Sequence, residues 1–136
     1  MKYFIAYRHT GADPAYLEQL LPAIREAFKS SGLEVYCTYF DEDGFKAGGY
    51  TPASIMKHAF AKIEEMGNLF VLLDGVEKSE GQLMEIGYCQ AKSIPITVAI
   101  RRGVTNTYVP EMADKVLEYS DIEELVSAIK AMSEDK

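Results

Sequence analysis

Short apolar runs of about six residues alternate along the chain with longer stretches in which apolar residues return every three or four positions. The first rhythm predicts strands and the second predicts amphipathic helices. Lys2 to Arg8 is the first run. After the break Thr10-Gly11-Ala12-Asp13-Pro14, residues Leu17, Leu20, Leu21, Ile24 and Phe28 mark a helix, with Asp13 placed to cap it, Pro14 suited to its first position and Gly32 at its end. Leu33 to Phe40, rich in β-branched and aromatic residues, predicts a second strand closed by the acidic turn Asp41-Glu42-Asp43-Gly44. A glycine-containing loop from Gly44 to Tyr50 then leads to Thr51-Pro52 and a helix with Ile55, Ala59, Ile63 and Met66 on one face.

Asn68 to Leu73 is apolar throughout, the pattern of a central parallel strand covered on both faces. It ends in Asp74-Gly75. Ser79, with Gln82 three residues on, fits a capping box that opens the next helix, whose Leu83, Ile86 and Ala91 are expected to face the sheet. Ile94 to Ile100 predicts a fourth strand, Lys115 to Tyr119 a fifth, and Asp121 to Met132 a closing helix with Ile122, Leu125, Val126 and Ile129 inward. Residues Ser133 to Lys136 read as a frayed end. Five strands alternating with four helices predict a flavodoxin-like, doubly wound α/β fold: a five-stranded parallel sheet of order 2-1-3-4-5, spanning residues 1–136 as one domain. Such sheets bind ligands outside the carboxyl ends of their strands, at the switch point of the strand order. That directs attention to Arg8 to Gly11, Phe40 to Gly44, Asp74 to Gly81 and Arg101 to Gly103.

Composition narrows the partners. The chain has 136 residues, 48% hydrophobic and 26% charged, the make-up of a globular protein. With 14 basic against 21 acidic residues the net charge is −7, which disfavours nucleic acid as a partner while leaving room for a small anion. No apolar stretch is long enough for a membrane span and the start does not read as a signal peptide, so a cytoplasmic location is expected. Cys37 and Cys89 lack ligand-type neighbours and read as buried thiols; no metal and no cofactor is implied. The acidic turn 41–44 lacks the spaced ligands of a calcium loop and reads as solvated.

The densest polar group follows the third strand. Asp74 stands at the strand end, Ser79 at the helix start, and Gly81 lets a ligand approach the first turn, where free N–H groups and the helix dipole favour an anion such as phosphate. Ser79 and Glu85 also admit a plain reading, a cap and a solvent-facing charge. Yet Glu85 lies within Leu83-Met84-Glu85-Ile86-Gly87-Tyr88, an apolar setting in which a carboxyl is partly buried and its pKa raised, as suits a nucleophile or acid-base group.

The pattern Ser79-x-Gly81-x-x-x-Glu85-Ile86-Gly87-Tyr88, with Ala91 and Ile94-Pro95-Ile96 after it, resembles the signature of the nucleoside 2-deoxyribosyltransferase superfamily, nearest the 2′-deoxynucleoside 5′-phosphate N-hydrolases. The resemblance covers about a quarter of the chain, residues 68–99. It implies the doubly wound fold, a glutamate nucleophile at the anomeric carbon that would be Glu85, and a 5′-phosphate contact that would fall to Ser79, where transferases acting on free nucleosides carry Asp. It also implies a homodimer that completes its sites across subunits, for which Tyr108 and Val109 in the loop 102–111 are candidates. Two departures stand out: Lys57-His58-Ala59-Phe60 offers no carboxylate where the family carries Asp, and the first strand ends in Ala6-Tyr7-Arg8-His9-Thr10-Gly11 rather than a glycine-rich loop.

A second pattern, Phe4-Ile5-Ala6-Tyr7-Arg8-His9 with the Gly48-Gly49 loop and Ser79 to Glu85, is similar to TIR domains, some of which cleave NAD with a glutamate in the corresponding helix. Cleavage of the N-glycosidic bond of a (deoxy)nucleoside 5′-monophosphate, the 2′-deoxynucleotide first, with release or transfer of the base, is therefore the leading expectation, with TIR-like NAD cleavage or signalling and non-catalytic nucleotide binding as alternatives. The candidate catalytic residues are Glu85, Asp74 and His58; the candidate substrate-binding residues are Tyr7, Arg8, His9, Gly11, Ser79, Gly81 and Arg101, with the two arginines beside the phosphate. His58 reads equally as a packed histidine, His9 as a bystander at a strand end, and most of the tyrosines as core. Tyr7 is the one expected at the mouth. The bulky Tyr39, Phe40, Phe45 and Tyr50 are expected to close the pocket against a ligand as long as NAD.

Overall fold

A computed structural model describes residues 1–132; the frayed end expected at Ser133 to Lys136 lies outside the described residues. Five parallel strands pair in the order 2-1-3-4-5: β1 (Lys2–Ala6), β2 (Glu34–Tyr36), β3 (Leu69–Leu73), β4 (Ile96–Arg101) and β5 (Lys115–Tyr119). Helices α1 (Pro14–Ser30) and α5 (Ile122–Met132) cover one face, and α3 (Pro52–Met66) and α4 (Glu80–Lys92) the other. Alternation along the central strands explains the two cores. Tyr3, Ile5, Phe70 and Leu72 point to the α1–α5 side, while Phe4, Ala6, Leu69 and Val71 point to the α3–α4 side. A strand with both faces covered has no use for polar positions, which is why β3 reads as a continuous apolar run.

Caps set the helix starts. Asp13 accepts from the Ala15 N–H at 3.0 Å with Pro14 at the first position. The reciprocal capping box forms at Thr51 and Ser54 and not at Ser79 and Gln82. There Ser79 Oγ does accept from the Gln82 N–H, at 3.2 Å, but the Gln82 side chain goes elsewhere.

Three local expectations change. The second strand stops at Tyr36; a 3-10 turn at Thr38–Asp41 and a further short helix, α2 (Glu42–Ala47), replace its second half and the loop after it. A 3-10 turn splays consecutive side chains by about 120° instead of 180°. Tyr39 can thus meet Tyr7 edge-on at 6.1 Å while Phe40 lies under the Arg25 guanidinium at 3.8 Å. The acidic run becomes the first turn of α2, where the dipole favours it. Secondly, β4 begins at Ile96 rather than Ile94, and β1 ends at Ala6, two residues before Arg8. Finally, α4 turns Gln82, Glu85, Ile86 and Cys89 inward, while Leu83 is 45% exposed and Ala91 also faces out.

Phe70 is fully buried at the sheet centre, edge-on to Phe28 at 5.2 Å. Phe70→Ala is expected to cost about 3–5 kcal/mol in denaturant unfolding. Val116→Ala, on the edge strand β5 and 42% exposed, is expected to cost less than about 0.5 kcal/mol.

Candidate active site

The carboxyl edge of the sheet gathers most of the candidate residues, but it divides them between two places. β1 delivers Tyr7, Arg8 and His9, β3 delivers Asp74, β4 delivers Arg101, and the first turns of α4 deliver Ser79, Gly81 and Glu85. Gln82 stands between the groups. Only 5% exposed, it donates its two amide N–H groups to the Ala6 carbonyl at 2.9 Å and the Leu72 carbonyl at 2.8 Å. These carbonyls belong to β1 and β3, the neighbours between which the strand order reverses.

On the α1 side a cavity of about 340 Å³ is lined by Tyr7, Arg8, Tyr16, Asp74, Gln82 and Arg101 among others, over a floor of Leu17, Leu20 and Leu72. Asp74 Oδ1 accepts from the Tyr16 hydroxyl at 3.2 Å and from the Tyr119 hydroxyl, and Arg101 approaches it at 3.8 Å. Burial and the adjoining Asp74 push both tyrosines above their ordinary pKa, so they remain donors. Arg8 donates to the Thr10 carbonyl at 2.9 Å and lies 4.0 Å from Glu77. Gly11, at φ +78°, makes room for it: a Cβ there would stand 3.1 Å from Arg8 Nη1. Two guanidiniums here face the carboxylates of Asp13, Asp74 and Glu77, so the cavity carries no surplus of positive charge. The lining does not include Glu85.

On the α3–α4 side, Glu85 is 8% exposed, and no hydrogen bond or ion pair engages its carboxyl among the described residues. No fully enclosed side-chain oxygen among those residues lacks a partner, so the carboxyl oxygens reach accessible space. Burial alone pushes the pKa up to about 8. Cys37 and Cys89 are each pushed up to about 12 by burial, with the nearby Glu85 charge adding to it. Both thiols are free and inert at neutral pH.

Tyr7 is buried under Tyr39, and its hydroxyl lies 3.5 Å from His9 Nδ1. Burial first, then Cys37 and Glu42, raises its pKa well above the ordinary phenol value. His9 Nδ1 is also 3.1 Å from Glu42 Oε1. His58 sits apart from this group: its Nε2 is 2.8 Å from the Tyr36 hydroxyl, which gives its one proton to Asp41 Oδ2 at 2.7 Å. Nε2 is therefore the donor to Tyr36. Rings of Phe45 at 5.3 Å and Tyr50 at 6.3 Å enclose it.

Around the first turn of α4, Ser79 and Lys78 face a smaller hollow shared with Val76 and Asn106, whose lining does not include Gly81; Lys78 Nζ donates to the Asn106 carbonyl at 2.7 Å. A Cβ on Gly81 would meet Met56 Sδ at 3.7 Å, an ordinary contact. The two hollows share Leu73, Gly75, Glu77 and Gln82. Sequence reasoning missed Gln82, Tyr16 and Tyr119, since nothing in the pattern distinguishes them from a capping glutamine and two core tyrosines. Burial in the resulting fold is the signal that marks them.

No known family model and no curated protein sequence matches the chain. Solved structures do. The CMP N-glycosidase BcmB of Clostridium botulinum superposes with a TM-score of 0.73 at 16% identity, covering 97% of this chain and 99% of that one. A 2-deoxyribosyltransferase from Bacillus psychrosaccharolyticus gives 0.66 at 12% identity over 93% and 90%. A conserved protein of Enterococcus faecalis V583 gives 0.63 at 18% over 97% and 99%. The sheet order, the helices on both faces and these superpositions define a nucleoside 2-deoxyribosyltransferase-like fold.

The Glu85 pKa has a sign that can be checked. Between about 4.5 and 8 the folded protein holds a proton that the unfolded chain releases, so this residue's contribution is complete below about pH 4.5 and is lost as pH rises through 8. Glu85→Gln is expected to match the parent near pH 4.5 and to exceed it in stability by roughly 2–4 kcal/mol above pH 8, read from denaturant midpoints across pH. A parent whose extra loss of stability with pH is the same in the variant would show that Glu85 titrates normally.

Proposed function

We propose that this protein cleaves the N-glycosidic bond of a nucleoside 5′-monophosphate, with Glu85 as the nucleophile. One observation carries the reading: a buried carboxyl with no partner among the described residues, reaching accessible space on the helix that follows the central strand β3. A carboxyl kept only for structure would be hydrogen-bonded or paired. The enzymes that share the fold, a CMP N-glycosidase and a 2-deoxyribosyltransferase, support the same class of chemistry.

In this reading one oxygen of ionised Glu85 bonds to C1′ as the C1′–N bond breaks. The electron pair passes to the base, which takes up a proton as it leaves. Water then adds at C1′, the bond to Glu85 breaks, and the carboxylate is restored with release of the 5-phosphorylated sugar. The phosphate lies on the first turn of α4, where Ser79 caps the helix and the leading N–H groups favour an anion. Lys78 flanks that turn, while Arg8 lies in the neighbouring cavity, 4.0 Å from Glu77, a residue that lines both hollows. Asp74 and His58 are each joined to a tyrosine hydroxyl and take no part in the bond to C1′ in this reading. Phe45 and Tyr50 pack ring to ring at 5.0 Å, and a mononucleotide rather than a ligand as long as NAD is the substrate of this reading.

Base release from nucleoside 5′-monophosphates, the matching nucleosides and NAD at equal concentration tests the assignment. Mononucleotides are expected to be preferred over nucleosides mainly through KM, and kcat/KM to rise with pH to a plateau above about 8 as Glu85 ionises. Glu85→Ala is expected to lose at least about 10³-fold, roughly 4 kcal/mol of transition-state stabilisation. Equal rates in parent and variant sink the assignment; nicotinamide release exceeding base release by about tenfold reassigns the substrate to NAD.

A homodimer belongs to the same proposal. Val109 is buried and unavailable, but Tyr108 is 74% exposed, and Leu83 and Met84 on the outer face of α4 and Met112 are also exposed. An apolar surface of this kind is suited to a second copy. Sedimentation at micromolar concentration is expected to give twice the chain mass, and Leu83→Glu with Met84→Glu to return it to one.

A further inference from the structure

Gln82 commits both of its donors and leaves its acceptor unused. Two carbonyl oxygens, of Ala6 and Leu72, can be met only by N–H, which fixes the amide's orientation. The oxygen on the other arm accepts from no donor among the described residues. It is not sealed in, because no enclosed side-chain oxygen among them lacks a partner, and Gln82 lines both hollows at this edge. A glutamine 5% exposed is thus held rigid by two strands and offers an acceptor that cannot turn into a donor. Glu85 follows three residues later on the same inward face, and side chains so spaced on a helix are neighbours.

We propose that the Gln82 amide oxygen selects the sugar, accepting a hydrogen bond from the 2′-hydroxyl of a ribonucleoside 5′-monophosphate whose C1′ is attacked by Glu85. The inference rests on the N-glycosidase reading above. C2′ adjoins the attacked carbon, so an acceptor beside the nucleophile meets its substituent first. The contact also strengthens when it matters. A 2′-hydroxyl withdraws electrons from the cationic transition state, and donating its hydrogen to Gln82 returns density to the ring, as hydrogen bonds to the 2-hydroxyl do in retaining glycosidases. A site built around such a contact penalises the analogue that lacks the hydroxyl.

The test compares kcat/KM for the four common ribonucleoside 5′-monophosphates with their 2′-deoxy counterparts. Deoxynucleotides are the more labile in water, so a parent preference for the ribonucleotide of at least about tenfold is expected only if the site reads the hydroxyl. Gln82→Met, lacking both donors and the acceptor, and Gln82→Lys, which keeps N–H donors for the two carbonyls but has no acceptor, are expected to bring the ratio to one or below, mainly through kcat on the ribonucleotide. The parent ratio needs no variant, so it decides the matter even where a variant does not fold. A parent that treats both sugars alike or favours deoxyribose overturns the inference, as does a folded Gln82→Lys that keeps the parent's ratio. Failure to release base from any nucleotide overturns the N-glycosidase reading itself, and this one with it.

Discussion

Parallel strands that separate at the carboxyl edge of a sheet leave carbonyls facing a gap, and in this protein one side chain meets that need for two strands at once. Ala6 is the last residue of β1 and Leu72 the last but one of β3, and both carbonyls take their donor from Gln82. An unsatisfied buried carbonyl costs about 1–3 kcal/mol, so the amide holds the edge together where the ladder stops. The same bonds fix the rotation of α4. They turn a polar residue toward the sheet, leave Leu83 outside, and set the face on which Glu85 must lie.

The edge so divided is electrostatically uneven. On the α1 side every formal charge has company: Asp74 with two hydroxyls and Arg101, Arg8 with a carbonyl and Glu77. On the other side Glu85 has no hydrogen-bond or ion-pair partner among the described residues, and burial keeps its proton on near neutrality. Structural groups tend toward the first condition and reacting groups toward the second. The cavity of about 340 Å³ and the buried Glu85 carboxyl are therefore neighbours across Gln82 rather than one place.

Much of this was legible in the chain, and the failures have physical causes. The order of strands follows from apolar runs separated by helical periods, because parallel neighbours need crossovers. Glu85 stood out for its apolar surroundings, which is the property that buries it. The segment after Tyr36 did not show itself: Tyr39 and Phe40 have strand propensity, and only the availability of Tyr7 and Arg25 as tertiary partners makes a helical turn the better choice. Gln82 looked like the second half of a capping box, since local sequence cannot reveal two carbonyls contributed from 10 and 76 residues away. Of the two residues named in the loop 102–111, Tyr108 faces out and Val109 is buried, a difference the sequence does not mark.

The segment from Thr38 to Tyr50 joins the rest of the fold through side chains. Its backbone bonds close on themselves, from Phe40 to Cys37, Gly48 to Gly44 and Tyr50 to Phe45, and none joins the sheet. What holds it down is side chains, and both histidines of the chain are among them, His9 on Glu42 and His58 through Tyr36 on Asp41. A piece attached in this way can lift while the strands beneath stay paired, so its opening free energy is a property of a few contacts and is smaller than that of global unfolding. The edge of this molecule thus has its own clock, separate from the one that governs the fold.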